Sequence, residues 1–95
     1  MLFEWDERKR HANLAKHHID FRDVTRGFDG PVFERVDSRQ GEERVVAIGS
    51  IEGVEIVVIY VTRGQRRRII SASRAHRSER QDYANHLKIA DQGQD

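Results

Sequence analysis

The sequence lacks several features that define common protein classes: among its 95 residues there is no cysteine, one proline and only 7% aromatic side chains. The lack of cysteine excludes disulfide bonds, cysteine-based zinc sites and a thiol nucleophile. The longest apolar run, residues 56–61, is much shorter than the roughly 20 residues of a membrane-spanning helix. The first residues lack a basic segment followed by an apolar one, so no secretory signal is predicted. We therefore expect a small cytoplasmic domain.

The chain also lacks a large net charge, because its 17 Lys and Arg residues nearly balance its 16 Asp and Glu residues. The charges are separated along the chain: residues 1–62 carry 9 basic and 12 acidic side chains, and residues 63–95 carry 8 basic and 4 acidic ones. Guanidinium groups bind phosphate through paired hydrogen bonds, so the second part predicts contact with a nucleic acid. A hairpin guarded against aggregation by basic residues is the alternative, and charge alone weighs the two equally. The candidate RNA-binding residues are Arg63, Arg66, Arg67, Arg77 and Arg80.

The period of the apolar residues predicts an α+β fold with two N-terminal helices, an antiparallel β-meander and a C-terminal helix. We expect a single domain over residues 1–90 and a frayed tail over residues 91–95. Asp6 and Asp20 are the expected N-caps of the two N-terminal helices, the second of which has a stripe of Phe21, Val24 and Phe28. The predicted strands are residues 2–5, 32–36, 43–50, 54–62 and 66–74.

The closing helix is expected over residues 77–89, where Ser78 and Gln81 have the spacing of a capping box. Tyr83 falls on the apolar stripe of this helix, and core packing is favoured for it over stacking on a base. Tyr60 is the other aromatic candidate for stacking.

A two-residue turn at Gly64 and Gln65 fixes a cross-strand register for the last hairpin. The predicted pairs are Arg63 with Arg66, Val61 with Arg68, Ile59 with Ile70, Val57 with Ala72, and Glu55 with Arg74. Cross-strand partners share a face, so this register places Arg68 and Arg74 on the same side of the sheet. A one-residue slip would move the set to the opposite face.

No metal site and no cofactor are predicted. The five histidines do not have the close helical spacing of a zinc pair, and no phosphate-binding, dinucleotide-binding or serine-hydrolase motif is present. His17 follows Lys16 at the end of the first helix, where it can act as a base or as a cation offsetting the helix dipole. The residues by themselves favour the second role.

Taken together, several short segments resemble the BrnT family of type II toxins. They are Phe3-Glu4-Trp5-Asp6, Asn13 with Lys16-His17, Phe28-Asp29 before Pro31, Gly41-Glu42-Glu43-Arg44, Arg68-Ile69-Ile70-Ser71-Ala72, and Arg74-Ala75 with Arg77, Glu79, Arg80 and Tyr83. Departures from the family pattern are His18 in place of a frequent Gly, Ser73 in place of Arg, and Gly30 in place of Asp.

The resemblance implies a RelE-like fold and a metal-independent endoribonuclease. Such an enzyme cleaves RNA by attack of a 2′-hydroxyl on the adjacent phosphate and thereby inhibits growth. It also implies neutralisation by a BrnA-type ribbon-helix-helix antitoxin, through which DNA is mainly contacted. Arg68 and Arg74 are the expected stabilisers of phosphate charge, with Arg63 supporting. The candidates for proton transfer are His17, Lys16, Glu79 and Tyr83. The alternative function is a non-catalytic subunit of a repressor complex that binds a partner or a nucleic acid.

Overall fold

The structure, a computed structural model, describes residues 2–38 and 41–92 and confirms the α+β class. Its elements in chain order are β1 (Leu2–Trp5), α1 (Glu7–His17), α2 (Phe21–Val24), a short 3-10 helix (Thr25–Phe28), β2 (Phe33–Asp37), β3 (Arg44–Ile51), β4 (Val54–Arg63), β5 (Arg66–Arg74) and α3 (Arg77–Gln92). No helix within the described residues is long and apolar enough to cross a membrane.

The five strands form one mixed sheet in the order β1-β5-β4-β3-β2. The predicted antiparallel meander of β3, β4 and β5 is confirmed, and β1 adds to the edge of β5 in parallel. The turn between β3 and β4 has positive φ at both central residues, Glu52 (51°) and Gly53 (80°), as a type I′ turn requires. This geometry lets two long strands follow each other with no intervening loop.

Side-chain caps set the ends of the N-terminal helices as predicted. A side-chain oxygen of Asp6 accepts a hydrogen bond from the Arg8 N–H at 2.8 Å, and Asp20 does the same for the Arg22 N–H at 2.9 Å. α1 ends where His18 adopts a left-handed conformation with φ of 61°, and its N–H donates to the Leu14 carbonyl. The chain therefore turns sharply between α1 and α2.

The capping box predicted for Ser78 and Gln81 is wrong. α3 begins at Arg77 as predicted, and the Glu79 carboxylate accepts a 2.7 Å hydrogen bond from the N–H of the preceding residue, His76. Both pairs have the required spacing of three, and the pair that begins directly before the first helical residue is the one that forms the cap. The helix continues to Gln92, into the segment predicted to fray, and residues 93–95 lie outside the described residues.

Two apolar clusters lie on opposite faces of the sheet. The α1 face, covered by α1 and α2, carries the cluster of Phe21, Val24, Ile56, Val58, Ile69 and Ala72. The α3 face, covered partly by α3, carries the cluster of Val46, Ile48, Val57, Ala75 and Tyr83. The predicted stripe of α2 is thereby confirmed for Phe21 and Val24, and the Phe28 side chain lies outside the described part.

A one-residue bulge in β5 corrects the predicted register. The pairs Arg63 with Arg66 and Val61 with Arg68 are confirmed. Beyond Tyr60, which pairs with Ile69, the residue Ile70 is passed over. The remaining predicted pairs are wrong, and the observed ones are Ile59 with Ser71, Val58 with Ala72, Val57 with Ser73, and Ile56 with Arg74.

The bulge inverts the alternation of side chains in the second half of β5. Ile69 and Ala72, three residues apart, consequently face the same core on the α1 side. Arg74 pairs with Ile56 and lies on this α1 face, whereas Arg68 pairs with Val61 and lies on the α3 face. The two arginines expected on one face are therefore on opposite faces.

Candidate active site

A cleft of about 420 Å³ opens on the α1 face, where the corner between α1 and α2 meets the end of β5. We call it the histidine cleft, and its lining includes His17, His18, Asp20, Arg26, Glu52 and Arg74. His17 is the last residue of α1, and Arg74 is the last residue of β5. The structure thus brings together two residues that the sequence analysis assigned to proton transfer and to phosphate binding.

The acids of the histidine cleft are already engaged by arginines. Asp20 accepts hydrogen bonds from the Arg22 guanidinium at 2.7 Å and from the Arg10 guanidinium at 3.1 Å. The bonds from Arg22, with lesser help from the charge of Arg10, lower the pKa of the Asp20 carboxyl to about 2. Asp20 is therefore ionised and neutralised inside the protein, which leaves it little attraction for other cations.

Arg26 neutralises the other two acids that line the cleft. Its guanidinium lies 3.4 Å from the Asp23 carboxylate and 3.3 Å from the Glu52 carboxylate. Arg74, in contrast, is exposed and makes no ion pair with any of the described residues. The cleft therefore holds one cation whose charge is available to an anionic ligand.

Asn13 fixes the end of α1 against β5. β1 pairs with β5 only as far as Ile69, so none of the described strands covers the outer edge of β5 beyond that residue. The Asn13 amide binds the backbone of this edge as a neighbouring strand would. It donates to the Ala72 carbonyl at 2.8 Å and accepts from the Ala72 N–H at 3.1 Å. The same amide donates to the Ile19 carbonyl at 3.0 Å. A buried side chain thus joins α1, the turn after it and β5, two residues before Arg74.

Sequence reasoning did not identify this function of Asn13. Asn13 was part of the family resemblance, and the sequence also places it on the same helix face as Lys16. A buried asparagine in a helix of low hydrophobicity indicates a polar docking contact, since buried amides need partners. The partner, a strand edge 59 residues away in sequence, is visible only in the structure.

A second cavity of about 280 Å³ lies on the other side of His17. We call it the lysine groove, and its lining consists of Lys9, Ala12, Asn13, Lys16, His17, Ile70 and Ser71. His17 lines both cavities, and Lys16 lies on the groove side of it. The two cavities therefore meet at the end of α1.

Arg68 lies in a different environment from Arg74. Its guanidinium donates a 2.7 Å hydrogen bond to the Glu4 carboxylate, which is held opposite it by the parallel pairing of β1 and β5. Arg74 follows Arg68 by six positions along β5, about 20 Å at the rise of an extended chain. Because they also face opposite sides of the sheet, they cannot bind the same phosphate.

Glu79 and Tyr83 line neither cavity. Glu79 caps α3, as described above. The Tyr83 hydroxyl donates to the Pro31 carbonyl at 2.9 Å, and burial of the ring raises the pKa of the phenol. The interpretation of Tyr83 as a core residue is confirmed, since only 5% of it is exposed.

The predicted RNA-binding arginines divide into engaged and exposed residues. The Arg67 guanidinium lies 4.9 Å from the centre of the Tyr60 ring and 3.6 Å from the Glu34 carboxylate. Burial, together with a hydrogen bond to Glu34, raises the pKa of Tyr60 to about 12, so this phenol remains a neutral donor.

Arg80 donates to the Ala75 carbonyl at 2.8 Å. The other three, Arg63, Arg66 and Arg77, are exposed and form no ion pairs within the described part of the chain. Arg63 and Arg66 face each other at the tip of the last hairpin, so their charges add at one point of the surface.

Comparison with known families matches residues 5–79 to a family described as the ribonuclease toxin, BrnT, of type II toxin-antitoxin systems. No curated protein matches the chain. The match covers well over half of the sequence and contains every residue of both cavities. It defines the class as a ribonuclease toxin of a type II system, which implies an antitoxin as partner. The chain belongs to the BrnT family, as the resemblance predicted.

Proposed function

We propose that this protein is an endoribonuclease toxin that cleaves RNA in the histidine cleft. One observation carries the proposal: His17 and Arg74 line the same cleft, and the cleft's acids are engaged by other arginines. A phosphodiester that enters the cleft meets an uncompensated cation and an imidazole in the lining of one cavity. Imidazole exchanges protons near neutral pH, and a guanidinium stabilises the charge of a five-coordinate phosphate.

The reaction we propose is attack of a 2′-hydroxyl on the adjacent phosphorus. His17 takes the proton of the 2′-hydroxyl, and Arg74 donates hydrogen bonds to the non-bridging oxygens. Lys16, the next cation on α1, gives a proton to the departing 5′-oxygen. The products are a 2′,3′-cyclic phosphate and a free 5′-hydroxyl. Because side chains supply the base, the acid and the charge, we propose that the cleavage needs no metal ion.

Neutralisation by a BrnA-type ribbon-helix-helix antitoxin is also part of the proposal. Membership of a type II family supports a protein antitoxin, and we assign the contacts with operator DNA mainly to that partner. The site of action is then the cytoplasm, where the RNA substrate and the antitoxin are both present.

Incubation of the purified chain with RNA, with and without EDTA, tests the proposal. We expect cleavage in both conditions, with cyclic phosphate at the new 3′ ends. His17→Gln and Arg74→Gln should each lower the rate between a hundredfold and a thousandfold. The control is Arg35→Gln, an exposed arginine on the edge strand β2, which should cleave normally.

Three results would contradict parts of this proposal. Normal cleavage by both cleft variants would place the active site elsewhere. Loss of cleavage in EDTA would remove the metal-independent mechanism. Absence of cleavage by the wild-type chain would favour the alternative of a non-catalytic subunit.

A further inference from the structure

We propose that the lysine groove binds the backbone phosphate of the nucleotide on the 3′ side of the cleaved bond. This inference rests on the proposed ribonuclease function and adds a substrate subsite to it. The residue that it introduces is Lys9, to which neither the sequence analysis nor the family description gives a role.

The groove exists because one face of α1 is cationic. Lys9, Ala12, Asn13 and Lys16 are spaced i, i+3, i+4 and i+7, which places them in one stripe of the helix. Asn13 docks this stripe against the edge of β5, so both lysines are held beside the sheet. The chain has only three lysines, and two of them line this groove.

The electrostatics of the groove differ from those of the histidine cleft. None of the residues that line the groove is acidic, and neither Lys9 nor Lys16 forms an ion pair within the described residues. The nearby Arg10 does not share this availability, because Glu7 and Asp20 bind its guanidinium at 2.8 and 3.1 Å. Two uncompensated ammonium groups in one concave surface attract an anion.

The sheet side of the groove suits a nucleotide as well as a phosphate. Pairing of β1 ends at Ile69, so no strand within residues 2–38 and 41–92 covers this edge of β5 at Ile70 and Ser71. Ile70, the residue passed over at the bulge, and Ala12 both belong to the groove lining and provide an apolar surface for a ribose or a base. Ser71 is the other residue of this edge in the groove lining.

The position of Lys16 gives the RNA a direction. In the proposed reaction Lys16 protonates the departing 5′-oxygen, which belongs to the nucleotide on the 3′ side. That nucleotide lies on the groove side of His17, and its own 3′-phosphate then reaches Lys9. The nucleotide that supplies the 2′-hydroxyl lies on the other side, in the histidine cleft.

A binding experiment tests the groove without any catalysis. The probe is a fluorescent 2′-O-methyl RNA oligonucleotide, which lacks the attacking hydroxyl, and its affinity is measured by anisotropy over a series of salt concentrations. We expect Lys9→Gln to raise Kd about fivefold, the effect of one exposed ion pair. The slope of log Kd against log salt should fall by about 0.7, the value for one phosphate contact on a single strand.

The matched control is Lys88→Gln, which removes the third lysine, an exposed residue of α3. It should leave both the affinity and the slope unchanged. Equal effects of the two substitutions would overturn the proposal, since they would show a general charge effect. Because the oligonucleotide is not cleaved, this result is independent of whether the wild-type chain is a ribonuclease.

Cleavage of two substrates tests the direction. With RNA that extends beyond the leaving nucleotide, Lys9→Gln should raise KM about fivefold and leave kcat unchanged. With RNA that ends at the leaving nucleoside, which has no 3′-phosphate, the two proteins should have the same KM. A KM effect that follows extension on the 5′ side would overturn the assignment of the groove to the 3′ nucleotide.

Discussion

Arg68 and Arg74 lie on the same strand, and their surroundings differ in almost every respect. Arg68 is held at 2.7 Å by Glu4 on the α3 face, whereas Arg74 is exposed on the α1 face, in the cleft that His17 also lines. Both residues fall within the family match, so similarity to the family does not distinguish them. What distinguishes them is whether the protein itself already satisfies the guanidinium, since a paired cation has less attraction for a substrate.

The same contrast separates the two cavities. The acids that line the histidine cleft form ion pairs with arginines of the same chain. Arg74 is the arginine of the cleft whose charge is left available. The lysine groove has no acid among its lining residues. An arginine-rich sequence therefore contains two populations of cations, and the charges that the protein leaves unpaired are the better guide to function.

The largest expected effect separates Arg74 from Arg68 directly. Arg74→Gln should lower kcat/KM for RNA by up to a thousandfold and leave the free energy of unfolding nearly unchanged. Arg68→Gln should keep most of the activity and lower the free energy of unfolding by about 1 kcal/mol, because Glu4 loses its partner. RNA cleavage and urea unfolding of both variants provide the measurement. The reverse pattern would show that the functional arginine is on the α3 face.

The next effect concerns the contact that positions Arg74. Asn13→Asp replaces an amide that donates to two carbonyls with a carboxylate that repels them. We expect a loss of about 3 kcal/mol in the free energy of unfolding, since one oxygen of a buried carboxylate then faces two carbonyls and only the Ala72 N–H still donates to the other. The control is Asn85→Asp at the other asparagine of the chain, an exposed position on α3.

Asn13→Ser provides a milder variant for measuring activity. The Asn13→Ser protein should remain folded, with kcat lowered and KM nearly unchanged. The reason is that the substrate still binds while His17 and Arg74 lose their alignment. Unchanged kcat in a folded Asn13→Ser protein would show that Asn13 only stabilises the fold.

A smaller effect tests whether the Asp20 carboxylate is paired with Arg22 and Arg10. The pKa of Asp20 is lowered from about 4 in the unfolded chain to about 2 in the folded protein. Its contribution to stability is therefore complete above pH 4 and is lost as the pH falls towards 2. Asp20→Asn should flatten this part of the stability profile, measured by thermal unfolding between pH 2 and pH 5. If Arg74→Gln flattened it equally, Asp20 would be paired with Arg74, and the cleft would have no available arginine.

The smallest expected effect is at His18, which lines the histidine cleft with φ of 61°. His18→Gly introduces the residue that the family resemblance led us to expect here and relieves a left-handed conformation that favours glycine. We expect stability to rise by less than about 1 kcal/mol and cleavage to stay within about twofold. A large loss of cleavage would assign the acid or the base to His18 in place of Lys16 or His17.

Local signals account for the parts of the fold that could be predicted from the sequence. Asp6 and Asp20 cap their helices through neighbouring residues, and the turns around Gly53 and Gly64 depend on short-range geometry. These features need no knowledge of distant contacts, so the strands and helices follow from the pattern.

The bulge in β5 could not be predicted in this way. Two adjacent isoleucines, Ile69 and Ile70, fit a period of two equally well, and either can face the core. The choice depends on Asn13 docking against Ala72 and on burial of Ile69 beside Phe21. The candidate site shows the same limit: His17 and Arg74 were identified individually, but their meeting depends on the bulge.

The bulge also has a consequence for how β5 tolerates a change of length. Ile70 is passed over in the pairing with β4, so in-frame loss of its codon would leave a regular ladder in which Ala72 and Arg74 keep their partners Val58 and Ile56. Arg74 would stay on the α1 face, and the lysine groove would lose an apolar residue of its lining. A deletion of one codon would therefore alter one cavity and leave the charge of the other in its position.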